Sequence, residues 1–168
     1  PRTVLDLGTG SDCLLLALLA ELPGATGIGI DLSADALAVA RGNAKAAGLA
    51  DRCRLLQGDW GLALADHCAD IVVSNPPYIA SAALPALMPE VRDHDPPLAL
   101  DGGPEGLDAY RRIVPDLPRL LRPGGLAALE VDAATAAAVA SLMEAAGAKR
   151  VDAADDLAGH PRALLAEF

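Results

Sequence analysis

The chain has 168 residues, 52% of them apolar but only 2% aromatic, and a formal net charge of −10. That length fits one domain, large enough to bury roughly 68–70% of the surface its unfolded form exposes. Two lysines and eleven arginines against 23 carboxylates oppose non-specific binding to a phosphate backbone, so nucleic acid is not an expected partner.

Thr3-Val4-Leu5-Asp6-Leu7 reads as a buried strand, followed by Gly8-Thr9-Gly10-Ser11 and a helical run from Asp12 to Leu22 that Pro23-Gly24 ends. Ala25 to Ile30 is a second strand, with Asp31 at its carboxyl end. Ser33 can cap a helix reaching Ala47, where Gly48 closes it. Arg52 to Gln57 makes a third strand, then Gly58-Asp59-Trp60, and Ala69 to Ser74 is the fourth. Residues 75–106 hold seven of the thirteen prolines and no clear period, which predicts a long loop; loops of this length in compact domains are functional or disordered. A helix is expected from Leu107 to Leu121, bent or split at Pro115 and Pro118. Arg122-Pro123-Gly124-Gly125 reads as a turn, Leu126 to Val131 as strand five and Ala133 to Ala146 as an alanine-rich helix. Ala148 to Ala153 and Arg162 to Phe168 are the final strands. This alternation predicts an α/β fold, a parallel, doubly wound sheet in a single domain spanning residues 1–168. Because the strand pattern starts at once, at Thr3, an absent upstream part is expected.

The longest apolar run, Cys13 to Ala20, is far short of the roughly 20 residues a membrane helix needs, so no membrane association is expected. No basic leader with an apolar segment and cleavage site is present. Cys13, Cys53 and Cys68 are odd in number and lack Cys-x-x-Cys spacing, which predicts reduced, buried thiols and a cytoplasmic location. His67, His94 and His160 are too dispersed to argue for a metal, and none is expected.

Two stretches carry chemistry. Asp6-Leu7-Gly8-Thr9-Gly10 joins a strand to a helix, which is where open α/β sheets bind nucleotides. Its glycines let the backbone approach a ligand, and the following helix N-terminus favours a negative group. Asp31, 23 residues beyond Gly8, stands where an acid accepts from ribose hydroxyls, although it can also cap the next helix. Cys13 occupies the third glycine position of a G-x-G-x-x-G pattern, so an adenosine ligand fits better than a dinucleotide. Asp59 would then accept from an adenine amine with Trp60 against the base edge; Trp60 reads equally well as core.

The second stretch is Ser74-Asn75-Pro76-Pro77-Tyr78. Asn75 precedes a proline and avoids the helical region, while Pro76 and Pro77 have fixed φ and no N–H to donate. What remains is a set of acceptors: the Asn75 side-chain oxygen and the Pro76 carbonyl can face an incoming N–H₂ group, with Tyr78 flat against whatever carries it. Asn-Pro is also a common turn dipeptide, and the two readings stand level on this stretch alone.

With Asp6-Leu7-Gly8-Thr9-Gly10, Asp31, Gly58-Asp59-Trp60 and Asn75-Pro76-Pro77-Tyr78 in this order, the chain resembles the class I S-adenosylmethionine-dependent methyltransferases. Glu90-Val91, His94-Asp95-Pro96, Ala99-Leu100-Asp101-Gly102-Gly103 and Gly106-Leu107-Asp108-Ala109-Tyr110-Arg111 are similar to the long loop and helix of the HemK/PrmC family. Arg122-Pro123-Gly124-Gly125 and Asp156-Leu157-Ala158-Gly159-His160-Pro161-Arg162 match it too. That family methylates the side-chain nitrogen of a glutamine in peptide chain release factors.

The resemblance implies a Rossmann-like seven-stranded sheet, mostly parallel with an antiparallel C-terminal strand. It implies S-adenosylmethionine as cofactor, at Asp6, Gly8, Thr9, Gly10, Asp31, Asp59, Trp60 and Asn75. Asn75, Pro76 and Tyr78 would be catalytic, with Pro77, Tyr78, Glu90 and His94 against a release-factor substrate, in a monomer. Glu90 and His94 read as loop organisers or substrate contacts, or simply as a solvated charged loop. The runners-up are an adenine-N6 nucleic-acid methyltransferase and a cofactor-binding module with impaired catalysis.

The departures from the family pattern are specific. Asp12 stands where the family has a third glycine, and is expected to cap the helix, or to crowd the cofactor or repel its carboxylate. Asp132 and Thr135 replace a glycine and a glutamine. The family's N-terminal helical domain and connecting hairpin are missing from the 168 residues.

Overall fold

A computed structural model describes residues 2–168. The chain alternates β1 (Thr3–Leu7), α1 (Cys13–Glu21), β2 (Thr26–Asp31), α2 (Ala34–Ala46), β3 (Cys53–Gln57) and β4 (Ala69–Ser74). Short helices α3 (Pro89–Arg92), α4 (Pro97–Leu100), α5 (Asp108–Ile113) and α6 (Leu117–Leu120) follow, then β5 (Leu121–Glu130), α7 (Ala136–Ala145), β6 (Arg150–Asp155) and β7 (Pro161–Glu167). The seven strands form one sheet in the order β3-β2-β1-β4-β5-β7-β6. All neighbours are parallel except that β7 runs antiparallel to both β5 and β6.

Both faces of the central strands are covered, which is why β1 reads as a nearly unbroken apolar run. Leu5 and Leu7 point to the larger core, with Val72, Leu129, Tyr110, Ile113, Leu117, Val139 and Met143. Val4 and Val73 point the other way, against Leu15 and Leu19 of α1. Removing a side chain as enclosed as Leu5 costs about 2–5 kcal/mol. The α1 carbonyl end is closed by Arg52, whose guanidinium donates to Leu19 O (2.8 Å), Leu22 O (3.1 Å) and Ala25 O (3.1 Å). On α2, Ser33 Oγ accepts from Ala36 N at 3.2 Å, the expected cap.

The expected split of helix 107–121 is met, and two other local expectations change. Helix 107–121 divides into α5, a 3-10 turn at Val114–Asp116 and α6, because Pro115 and Pro118 lack the N–H that continuity needs. The Arg122–Gly125 turn is absorbed into β5 as an irregularity: Ala69 pairs with Leu121, yet Ile71 pairs with Leu126. Cys13 is exposed and Cys53 and Cys68 are half-buried, so the thiols are free but not all enclosed. Among the described residues, no helix is long and apolar enough to cross a membrane.

Candidate active site

β1 lies between β2 and β4, so the chain builds outward to one side of β1 and then to the other. The crevice at the carboxyl ends of β1 and β4 is therefore a topological switch point, the place where open α/β sheets take ligands. Both candidate motifs leave the sheet here. Ser74 Oγ donates to Leu7 O at 2.6 Å and fastens the two strand ends together.

The turn after β1 is held by β2. Gly8 N and Thr9 N donate to Ile30 O at 2.8 and 2.9 Å. Gly10 N donates to Asp31 Oδ2 at 2.8 Å, and Asp31 Oδ1 accepts from Ser33 N at 2.8 Å. Asp31 thus couples the glycine turn to the start of α2, and each of its oxygens keeps a lone pair for a ligand hydroxyl. Gly10 has φ +56, and a Cβ added there would meet nothing within 4 Å. The turn borders open space, the condition for close approach of a ligand to backbone.

At Gly8, with φ +73, a Cβ would lie 3.0 Å from Trp60 Cζ3. Trp60 is half-buried against the larger core, so it serves as core and as a wall of the crevice together. Asp59 is not free. Arg112 Nη2 of α5 donates to Asp59 Oδ2 at 2.6 Å, with the arginine and aspartate side chains 52% and 40% exposed. A pair as exposed as this contributes about 0–1 kcal/mol, so it can exchange for a ligand at small cost.

Asp6 and Thr9 lie beneath the turn rather than on its surface, both buried. Thr9 Oγ1 stands 2.7 Å from Asp6 Oδ2 and 3.0 Å from Asp12 Oδ1. Burial pushes the Asp6 carboxyl up to about 7; the Thr9 hydrogen bond opposes this, and the nearby Asp12 and Asp31 charges add to it. Asp12 does cap α1 by position, at φ 71, but its side chain faces inward. It is wholly enclosed and accepts from Cys53 Sγ at 3.1 Å. A fully enclosed carboxyl does not project into the crevice, so the expected crowding of the cofactor by this side chain does not arise.

At the other turn, Asn75 is exposed and Pro76 buried. Among the described residues neither the Asn75 side chain nor the Pro76 carbonyl has a hydrogen-bond partner. The stretch following the turn is braced by the loop before α5. Ile79 N donates to Leu100 O (3.0 Å), Gly102 N to Ile79 O (2.8 Å) and Ser81 N to Gly103 O (2.9 Å), while Ser81 Oγ donates to Asp101 Oδ1 (2.7 Å). Tyr78 is half-buried and its hydroxyl donates to Glu130 Oε1 at 3.1 Å.

Glu130 was not among the sequence candidates. The available signal was its place at the end of the strand beside β4, since Ser74 pairs with Leu129. Glu90, in α3, and His94, just after it, are exposed, and no hydrogen bond ties either to the Asn75 turn. Asp132 and Thr135 build the approach to α7: Asp132 Oδ1 accepts from Ala134 N at 2.8 Å and Asp132 O from Thr135 N at 3.0 Å. Among the described residues no group of three or more His, Cys, Asp or Glu is gathered to hold a metal ion.

A glycine turn tied to an acid at the end of β2, beside an acceptor-bearing turn at the end of β4, is an arrangement suited to group transfer from a nucleoside-type donor. Residues 2–153 match a family described as a methyltransferase domain, and the chain belongs to that family. Over 163 residues it is 52% identical to a protein of Caulobacter vibrioides named release factor glutamine methyltransferase, covering 97% of this chain and 56% of the relative. A relative of the same name from Cereibacter sphaeroides is 52% identical, covering 99% of this chain and 59% of its own length. The chain thus spans little more than half of the curated relatives it matches. A crystal structure of a methyltransferase from Pyrococcus furiosus superposes with a TM-score of 0.72 at 15% identity, over 99% of this chain and 74% of that one, which shows a shared fold. The family resemblance and the seven-stranded fold expected from the sequence are both borne out.

Proposed function

We propose that residues 1–168 form the catalytic domain of a methyltransferase that uses S-adenosylmethionine to methylate the side-chain amide nitrogen of a glutamine in a peptide chain release factor. The observation that carries this reading is the unpartnered pair of acceptors, Asn75 Oδ1 and Pro76 O, at the switch point beside the glycine turn. The relatives' shared name supplies the substrate class. Nucleic acid is not the partner in this reading, and the domain works as a cytoplasmic monomer.

The residues present fit the cofactor: open space at Gly10, Asp31 for ribose hydroxyls, and Trp60 with Asp59 on the base side. Bound there, S-adenosylmethionine supplies a sulfonium-activated methyl group. Such a donor needs a nucleophile placed in line more than a strong base. An amide nitrogen is a poor nucleophile because its lone pair is delocalised. Asn75 Oδ1 and Pro76 O accept hydrogen bonds from its two N–H groups and orient the nitrogen, favouring the pyramidal form that develops in the transition state, and the proton the nitrogen gives up on gaining the methyl passes to solvent. Pro77 and Tyr78 pack the flat side chain, and Glu90 and His94 contact more distant parts of the substrate protein.

The test is methyl transfer from labelled cofactor to release factor and, separately, to DNA and RNA. Label in the release-factor glutamine is expected; label in nucleic acid alone overturns the reading. Within it, Asn75→Ala lowers turnover about 100-fold or more, and far more than it lowers cofactor affinity. Unchanged turnover removes Asn75 from the chemistry.

A further inference from the structure

Both tyrosines of the chain end on one residue. Tyr78 donates to the Glu130 carboxylate at 3.1 Å, and Tyr110 of α5 donates to the Glu130 backbone carbonyl at 2.6 Å. Tyr110 is wholly enclosed in the larger core, so it holds the end of β5 from the inside. Glu130 in turn reaches the acceptor turn from the neighbouring strand, with Ser74 paired to Leu129.

A carboxylate only accepts, so the single Tyr78 hydroxyl hydrogen is committed to Glu130 and the ring has one orientation. The charges around this hydroxyl are Glu130, Asp132 and Arg162. Burial raises the Tyr78 phenol above its ordinary value and the Glu130 carboxylate raises it further, which keeps the hydroxyl a donor.

We propose that Glu130 is a positioning residue for the acceptor site: it fixes the Tyr78 ring so that its face, and not its hydroxyl, meets the substrate side chain. The inference rests on the acceptor-turn reading given above. Glu130 touches neither donor nor acceptor and acts through Tyr78 alone.

Two measurements test it. With ring-labelled tyrosine, an NMR titration follows the Tyr78 signal, which Tyr78→Phe assigns by its loss. Glu130→Gln is expected to lower the Tyr78 midpoint toward about 10, the ordinary phenol value. An unmoved midpoint overturns the pairing, whatever the substrate proves to be. Steady-state kinetics with release factor then compare Glu130→Ala, Glu130→Gln, Tyr78→Phe and the Glu130→Ala/Tyr78→Phe double variant. Glu130→Ala and Tyr78→Phe should each raise KM for the protein substrate about tenfold with the cofactor Kd unchanged, and the double variant should be no worse. Glu130→Gln, whose amide oxygen still accepts, should stay near the parent and serves if Glu130→Ala does not fold. Additive losses, or a Glu130→Gln loss greater than that of Tyr78→Phe, overturn the proposal. If the parent protein leaves release factor unmethylated, the substrate reading fails, and the tyrosine titration alone decides the role of Glu130.

Discussion

The side chains of Asp6, Thr9, Asp12 and Cys53 form one buried polar cluster: Thr9 Oγ1 donates toward Asp6 Oδ2 and Asp12 Oδ1, and Cys53 Sγ donates to Asp12 Oδ2. Burial raises both carboxyls, Asp6 to about 7. An acid whose folded value is about 7 against an ordinary 3.8 binds more protons when folded than when unfolded between those values. Stability contributed by Asp6 is therefore full below about pH 4 and lost as pH rises through about 7. Asp6→Asn keeps a side-chain oxygen to accept from Thr9 without the titration. Urea unfolding from pH 4 to 8 should show the difference between parent and variant growing in the variant's favour as pH rises; a difference independent of pH would show that Asp6 does not titrate in this range. At Asp12, a glycine would accept φ 71 without strain but would strand Cys53, while Thr9 keeps Asp6. Because the Asp12 side chain is enclosed, Asp12→Gly should leave the cofactor Kd essentially unchanged in calorimetry; a marked tightening would mean that it does reach the crevice.

Among the elements, the segment from Asn75 to Asp108 shows most clearly how an aperiodic stretch becomes an ordered one. Its prolines make it stiff, and its glycines let it fold back on itself. Gly106, at φ +71, lies against the Tyr78 carbonyl oxygen, where an added Cβ would overlap backbone. Gly106→Ala combines that overlap with the left-handed penalty and should cost about 2–4 kcal/mol in denaturant unfolding, and lower turnover by displacing the acceptor turn. Parent-like stability would show that the loop does not brace the turn. The spacing Ala99-Leu100-Asp101-Gly102-Gly103 was visible in the sequence as a motif. Its role as a brace was not, because the bonds run from Ile79 and Ser81 across some twenty residues, as in Ser81 Oγ to Asp101 at a separation of 20.

For the whole molecule, the sheet order decides what meets what. Strand-helix alternation predicted a doubly wound sheet, and the resemblance added the antiparallel end; the register then brings the turns after β1 and β4 to one crevice. A ligand there contacts segments from both sides of the switch point and binds the folded chain alone. S-adenosylmethionine at 100 times its Kd should stabilise by about 2.7 kcal/mol and raise Tm by about 5–10 °C in scanning calorimetry. No shift would remove the cofactor from this crevice.

The sequence by itself determined the order and approximate bounds of the elements, the glycine turn, the Asn-Pro-Pro-Tyr turn and the family. These rest on periodicity and on residues within a few positions of one another. Only the tertiary structure decided that Asp12 turns inward to Cys53, that Asp59 pairs with Arg112 and that Glu130 holds Tyr78. Those contacts join residues 41, 53 and 52 positions apart, and which distant partner a polar side chain meets is settled by sheet order and packing rather than by local pattern.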